Sequence, residues 1–318
     1  MTRWRAWPAV VAAAVALPAG GFDIEGHRGA RGLAPENTLA AFERALAIGV
    51  TTIETDIAVT RDDVLVIAHD PHLNPDLVRG PDGAWLTAKG PAIRSLSYAE
   101  LQRYELGRTN PASAYAKQFP AQQPADGQRF PTLDQVLALG AGNAVRFNLE
   151  TKITPTGGSD TADPATFARL LVAVIRAAGM AHRVTVQSFD WRTLAEVNRL
   201  APEWPTACLT IESEGMDTVA GKSGQPSAWH AGLDLAQHGG SLPRLVKAAG
   251  CRTWSMFWRN LTPQAVAEAH ALGLTVLPWT VNDPADMARL ADWKVDGIIT
   301  DYPDRLRRVM AERGMRLP

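Results

Sequence analysis

An alternation repeated along nearly the whole chain limits its fold more than anything else: short apolar runs take turns with amphipathic segments of helical period. Phe22–His27, Thr52–Val59 with Val64–His69, Ala144–Glu150, Arg183–Ser188, Pro205–Ile211, Arg252–Phe257, Leu274–Trp279 and Gly297–Thr300 read as strands. The gaps hold helical patterns at Glu36–Ile48, Thr132–Leu139, Pro164–Ala178, Trp191–Leu200, Leu242–Ala249, Pro263–Ala271, Pro284–Trp293 and Asp304–Glu312. Several open on Thr, Ser or Asp, often beside Pro, and stop at Gly49, Gly179, Gly250 or Gly273, as helices between strands do. With the second and third runs counted as one unit, eight βα units predict an α/β fold, a closed (β/α)8 TIM barrel with its chemistry at the carboxyl ends of the strands. A 318-residue chain that is 46% hydrophobic has ample material for that core.

Residues 71–130 fall outside the repeat. They are rich in Pro, Gly and Gln, leave the carboxyl rim, and predict an insertion over the active-site mouth. The start of the chain is also separate: Arg3 and Arg5, then the apolar run Ala9–Leu17, then Pro18-Ala19-Gly20-Gly21. Such a run is about half of the roughly 20 residues a spanning helix needs, and it has the layout of a signal peptide. We expect residues 1–21 to be removed, giving a domain of residues 22–318 that is periplasmic or secreted and has no stable membrane insertion. Trp4 separates the two arginines, which speaks against twin-arginine export. Net charge is −1, with no basic cluster of the kind nucleic acid requires. Cys208 and Cys251 are too few and too far apart for a zinc site or a disulfide framework. Buried inert thiols are expected, and one disulfide is open to them only if their strands are neighbours in an oxidising compartment.

The polar residues at the strand ends are of a kind that does chemistry. Glu54 and Asp56 are two apart and share one strand face, and Glu150 repeats the spacing with Lys152. Lone carboxylates there can be structural, paired with Arg28 or Lys152. Three of them beside two histidines instead suit one hard divalent cation, Mg²⁺ or Ca²⁺, rather than zinc. His27 and His69 each close an apolar strand and can serve as an acid and a base, while Arg28 and Lys152 can hold a phosphate. The histidines at 72, 182, 230, 238 and 270 lack such company and read as surface or helix residues.

The chain resembles the glycerophosphodiester phosphodiesterases from Ile24 to about Arg307. The likeness rests on Gly26-His27-Arg28-Gly29, Pro35-Glu36-Asn37-Thr38, Glu54-x-Asp56, Thr60 to Asp62, His69-Asp70 and Leu149-Glu150-Thr151-Lys152. It continues through Gln187-Ser188-Phe189, Trp279-Thr280-Val281-Asn282 and the run Gly297 to Pro303. The resemblance implies a metal-dependent barrel that cleaves small glycerophosphodiesters to sn-glycerol 3-phosphate and an alcohol. By the same carry-over Glu54, Asp56 and Glu150 are metal ligands, His27 and His69 the acid-base pair, and Arg28 and Lys152 the phosphate contacts. Gln187 and Trp279 line the substrate pocket, and Glu36 and Asn37 support it. The family's reaction is thought to pass through a cyclic phosphate that water opens.

Two other functions are compatible with parts of this pattern. A lysophospholipase D or sphingomyelinase-like enzyme would need an apolar cleft, for which the insertion offers Trp85, Tyr98, Tyr104, Tyr115 and Phe119; those rings serve equally as the insertion's own small core. A non-catalytic periplasmic binding barrel would be expected to have lost a histidine or a metal carboxylate, and this chain retains them all.

Overall fold

The computed structural model describes residues 21–221 and 225–317, so the expected leader lies almost wholly outside the described residues. Among the described residues nine strands occur in chain order: β1 Asp23–Gly26, β2 Thr52–Val59, β3 Leu65–Ile67, β4 Arg146–Thr151, β5 Val184–Ser188, β6 Thr206–Thr210, β7 Thr253–Met256, β8 Thr275–Val276 and β9 Gly297–Thr300. Eight are parallel, in the order β8-β7-β6-β5-β4-β2-β1-β9, and β3 folds back antiparallel on β2. Ile299 N–H donates to the Pro278 carbonyl at 3.1 Å and Val281 N–H to Ile299 at 3.1 Å, which joins the last strand to the end of β8 and closes the barrel. Pro278 has no N–H to give, and β8 is accordingly shorter than its apolar run.

The helices are α1 Leu39–Ile48, α2 Tyr98–Leu101, α3 Leu133–Ala138, α4 Pro164–Ala177, α5 Trp191–Leu200, α6 Leu242–Ala248, α7 Pro263–Ala271, α8 Pro284–Asp292 and α9 Pro303–Glu312. Asp163, Thr262 and Asp283 cap α4, α7 and α8 directly before a proline, where the missing N–H costs nothing. Helix α1 begins three residues later than its pattern suggests. Asn37 is left-handed at φ 56° and Thr38 is the N-cap, which frees Glu36 and Asn37 from the helix and turns them toward the strand ends. The main core lies between the strands and the outer helices, around Phe42, Phe147, Phe167, Trp191 and Trp254.

Residues 71–130 extend from the β2–β3 hairpin. Leu73, Val78, Ile93, Leu101, Leu106 and Phe130 form a second small core against Ala58, Val66 and Ala68 of the barrel, with Tyr98 and Tyr104 packed on it. Arg79 lies over Trp85, whereas Tyr115 and Phe119 turn instead to Arg31 at the barrel's mouth.

Two expectations are overturned. Cys208 and Cys251 are joined in a disulfide, because β6 and β7 are neighbours and bring the two Cα atoms to 5.9 Å; both residues are buried, but neither is a free thiol. His230 is not a surface residue: it is 1% exposed and stacks on Trp191 at 4.4 Å. Burial pushes its imidazole down to about 4, so it is a neutral core ring.

Candidate active site

The tight turn after β1 organises the site. A Cβ at Gly26 would fall 2.1 Å from the Gly29 carbonyl oxygen, so this approach needs glycine. Gly29 takes a left-handed φ of 86°, and Arg28 does the same at 50° although it carries a side chain. The turn points Arg28 N–H at Glu54 Oε2, 2.9 Å away, and Gly29 N–H at the Glu54 carbonyl, 3.2 Å away.

Register does the rest. Asp56 pairs with Glu150 and Glu150 with Gln187, so β2, β4 and β5 deliver their polar residues to one level. Glu54, Asp56 and Glu150 are buried, and each offers an oxygen within 4.8 Å of the others. Burial, with Asp56 and Glu150 close by, pushes the Glu54 carboxyl well above its ordinary value, and burial raises Glu150 against the pull of Lys152. Burial would raise Asp56 too, but Arg28, His69 and Lys152 hold it far below the usual carboxylate range. Asp56 Oδ1 is buried without a hydrogen-bond partner. Three crowded carboxylates, two of which resist ionising while the third keeps its charge and has an orphaned oxygen, fit a divalent cation.

The cations and carboxylates interlock. Arg28 Nη1 donates to Glu36 at 2.5 Å, and its Nε lies 3.2 Å from Asp56. Asn37 Nδ2 donates to Asp56 at 2.9 Å while Thr55 donates to Asn37 Oδ1, which fixes the amide. Lys152 Nζ donates to Glu150 at 2.6 Å and stands 3.6 Å from Asp56. Gln187 is 1% exposed, with Nε2 donating to Glu54 at 2.8 Å and Oε1 accepting from Asn148 at 3.0 Å. Asn148 also donates to Glu25, so a polar ladder descends from Glu54 into the barrel. Trp279 stands at the rim after β8, edge-to-face with Phe189 at 5.5 Å, its indole N–H buried and unpartnered.

Both histidines have a carboxylate at Nδ1. His69 Nδ1 lies 2.8 Å from Asp70, which Asn74 also holds; burial opposes the low value, yet His69 and Asn74 keep Asp70 at about 2. The His69 ring is itself lowered by burial, Arg28 and Lys152. His27 Nδ1 lies 2.7 Å from Asp301 Oδ1, and its Nε2 faces Glu54 at 4.0 Å. Burial and Arg31 push His27 down to about 4 against Asp301. Its ring is therefore neutral near pH 7, and with Nδ1–H directed to Asp301 it presents a free lone pair at Nε2.

Sequence reasoning gave no site role to Asp301 or Arg31, and named Tyr115 only among the aromatic rings of the insertion. Arg31 grips Asp301 through Nε at 2.8 Å and Nη2 at 3.0 Å, and Asn282 Nδ2 donates to the same carboxylate at 2.7 Å. Tyr115 donates to Glu36 and accepts from Arg31 at 3.2 Å, so the segment over the mouth touches the Arg28 network. A signal for Asp301 existed: in a closed barrel the last strand pairs with the first, and Gly26 opposite Thr300 puts His27 beside Asp301.

The model of the glycerophosphoryl diester phosphodiesterase family matches residues 27–305. A candidate glycerophosphoryl diester phosphodiesterase from Silicibacter pomeroyi DSS-3, known as a crystal structure, is 36% identical; 94% of this chain and 96% of that one superpose with a TM-score of 0.83. A glycerophosphodiester phosphodiesterase of Caldanaerobacter subterraneus subsp. tengcongensis is 26% identical over 290 residues, 91% of this chain and 97% of that protein. An Oleispira antarctica phosphodiesterase solved with its product sn-glycerol-3-phosphate shares the fold at 21% identity and a TM-score of 0.65, over 91% of this chain and 96% of that one.

Proposed function

The chain belongs to the glycerophosphoryl diester phosphodiesterase family, and on that premise we propose the following account of its reaction and site. It hydrolyses glycerophosphodiesters to sn-glycerol 3-phosphate and an alcohol. The observation that carries this reading is the convergence of three buried carboxylates, two phosphate-binding cations and two carboxylate-tethered imidazoles at one end of the barrel.

Glu54, Asp56 and Glu150 would hold one divalent cation, Mg²⁺ or Ca²⁺, which when bound offsets charge on the phosphate oxygens and orients the attacking oxygen. Arg28 and Lys152 take the phosphate, Arg28 as a flat fork kept in place by Glu36 and Lys152 as a point charge. Trp279 lines the substrate pocket, while Gln187, whose amide is engaged within the barrel, positions Glu54. An attacking hydroxyl, of the glycerol or of water, gives its proton to His27 Nε2 as the new O–P bond forms. The bond from phosphorus to the departing alcohol breaks, and that alkoxide takes a proton from His69. Where the glycerol hydroxyl is the attacker this leaves a cyclic phosphate, which water opens by giving a proton to His69 as it bonds to phosphorus while His27 returns its proton to the ring oxygen that leaves, yielding sn-glycerol 3-phosphate. Each ring has its own carboxylate, and His69 is the better place for a positive charge since its side chain is 33% exposed against 13% for His27. Each proton transfer of this kind is typically worth roughly 10² to 10⁴ in rate.

Residues 1–21 act as a signal peptide, and the exported enzyme is one domain, 22–318, with 71–130 as its insertion. The charge and apolar pattern of the leader supports export. Among the described residues no helix is long and apolar enough to cross a membrane. The test is to incubate purified protein with glycerophosphocholine, glycerophosphoethanolamine, glycerophosphoglycerol and a lysophospholipid, with and without added metal, and measure glycerol 3-phosphate enzymatically, or lysophosphatidic acid where the substrate is the lysophospholipid. Release from the small diesters supports the reading; substrate binding without release would make the barrel a binding module.

A further inference from the structure

The two sides of the barrel's mouth differ in chemistry. Arg28, Arg31 and Lys152 stand on the β1–β4 side. On the β5–β8 side runs an arc of partly exposed rings, Trp229, Phe189, Trp279 and Phe257, with successive centroids 6.4, 5.5 and 5.7 Å apart. They come from four separate places: directly after β5, within the loop after β6, directly after β7, and beyond β8. The arc starts at the reaction centre. Phe189 lies under Lys152 Nζ at 5.9 Å, and Trp279 precedes Thr280, whose hydroxyl is 3.4 Å from His27 Nδ1.

Behind the arc, the exposed loop after β6 carries Glu212, Glu214 and Asp217. Ser227 donates to the Thr218 carbonyl at 2.6 Å, and Glu212 N–H donates to Asn260 at 3.0 Å, so this acidic loop is fastened between the segments bearing Trp229 and Phe257. Arginines already lie over the next ring, Trp258, at 5.0 and 5.4 Å, which removes it from consideration. Among the described residues no cation covers Trp229, Trp279 or Phe257. The only hydrogen-bonding groups on the four rings are the indole N–H donors of Trp229 and Trp279, too few for the hydroxyls of a second glycerol or an inositol.

We propose that this arc is the subsite for the departing alcohol and that it selects a quaternary ammonium alcohol of the choline type. The inference rests on the hydrolytic function proposed above. Ring faces attract an onium group within about 6 Å of their centroids, and carboxylates behind them add attraction without stripping its hydration. The whole mouth is thus complementary to a zwitterion, with cations facing the phosphate and rings facing the ammonium.

The test compares glycerophosphocholine with its neutral isostere, the glycerol phosphodiester of 3,3-dimethylbutanol, which has the same shape without the charge. The same pair is measured on Trp229→Leu and Phe257→Leu, with folding checked by circular dichroism. Wild type should favour the choline ester in kcat/KM by about twofold to thirtyfold, the range expected of cation–π contacts. Each variant should bring the ratio toward one. A wild-type ratio of one, or a ratio unchanged in both variants, would overturn the subsite while leaving hydrolysis intact. If no diester is cleaved, the hydrolytic reading fails by itself, and the subsite is then judged by calorimetry: choline must bind more tightly than 3,3-dimethylbutanol, and equal binding overturns it.

Discussion

Replacing Asp301 with Asn isolates the tether of His27, and its consequences follow from counting hydrogen bonds. Four donors meet the two oxygens of Asp301: His27 Nδ1 and Arg31 Nε at Oδ1, Arg31 Nη2 and Asn282 Nδ2 at Oδ2. An amide offers one oxygen. If that oxygen stays at the Oδ1 position, Arg31 Nη2 and Asn282 Nδ2 are both stranded against an NH2 group. Asn282 cannot turn to help, because its own Oδ1 accepts from Asp301 N–H and from the Thr300 hydroxyl. If the amide is reversed, Arg31 Nε alone is stranded, since the neutral imidazole can shift its proton to Nε2 and accept at Nδ1. The second arrangement wins by roughly one buried unsatisfied donor, about 1–3 kcal/mol. His27 then carries its proton on the nitrogen that should accept one, and turnover should fall by about 10² to 10⁴ on every phosphodiester. The remaining stranded guanidinium N–H should cost about 1–3 kcal/mol of stability, read as a lower melting temperature. Long-range ¹⁵N NMR on histidine-labelled protein reports the tautomer directly. Wild-type turnover in D301N, or a large loss of rate with the proton still on Nδ1, would refute the reasoning.

Chelation should abolish activity and Mg²⁺ or Ca²⁺ should restore it, whereas Glu54→Gln, which keeps the shape and removes a charge, should need far more metal; full activity in excess chelator with no metal by elemental analysis contradicts the carboxylate site. Metal-replete His69→Ala should cripple glycerophosphocholine turnover by about 10² to 10⁴ yet largely spare a glycerol nitrophenyl phosphodiester, whose leaving group needs no proton, while His27→Ala should impair both. Equal losses on both substrates in both variants would mean that the imidazoles do not divide acid from base. Mass spectrometry of the exported protein should find Phe22 as the first residue; a cytoplasmic protein that retains Met1 or Thr2 would contradict export.

Parallel strands buried on both faces are nearly continuous apolar runs, which is why β9 matches its predicted ends residue for residue; β2 matches as well, although Glu54 and Asp56 interrupt its apolar residues. Helices capped by Asp or Thr before proline were equally plain. Strand alternation likewise sufficed to bring Glu54 and Asp56 to one face, and neighbouring strands then add Glu150. Contacts made by closure were harder to see. His27 and Asp301 lie 274 residues apart, and Tyr115 meets Glu36 only because the segment carrying it folds back over the mouth. The state of Cys208 and Cys251 depended on strand adjacency, which the spacing of two cysteines does not encode. His230 was misread because no local pattern marks it: the ring is buried by Trp191, which lies on a different βα unit.

The Cys208–Cys251 bond has a topological consequence. It encloses the exposed acidic loop, the segment bearing Trp229 and helix α6 in one covalent ring spanning 43 positions. That loop is exposed to proteases, and a single cut there opens the ring without dividing the molecule. Nicked protein should run as one band until a reductant separates it into two, so this wall of the mouth belongs to the one stretch of chain that can be severed without losing either half.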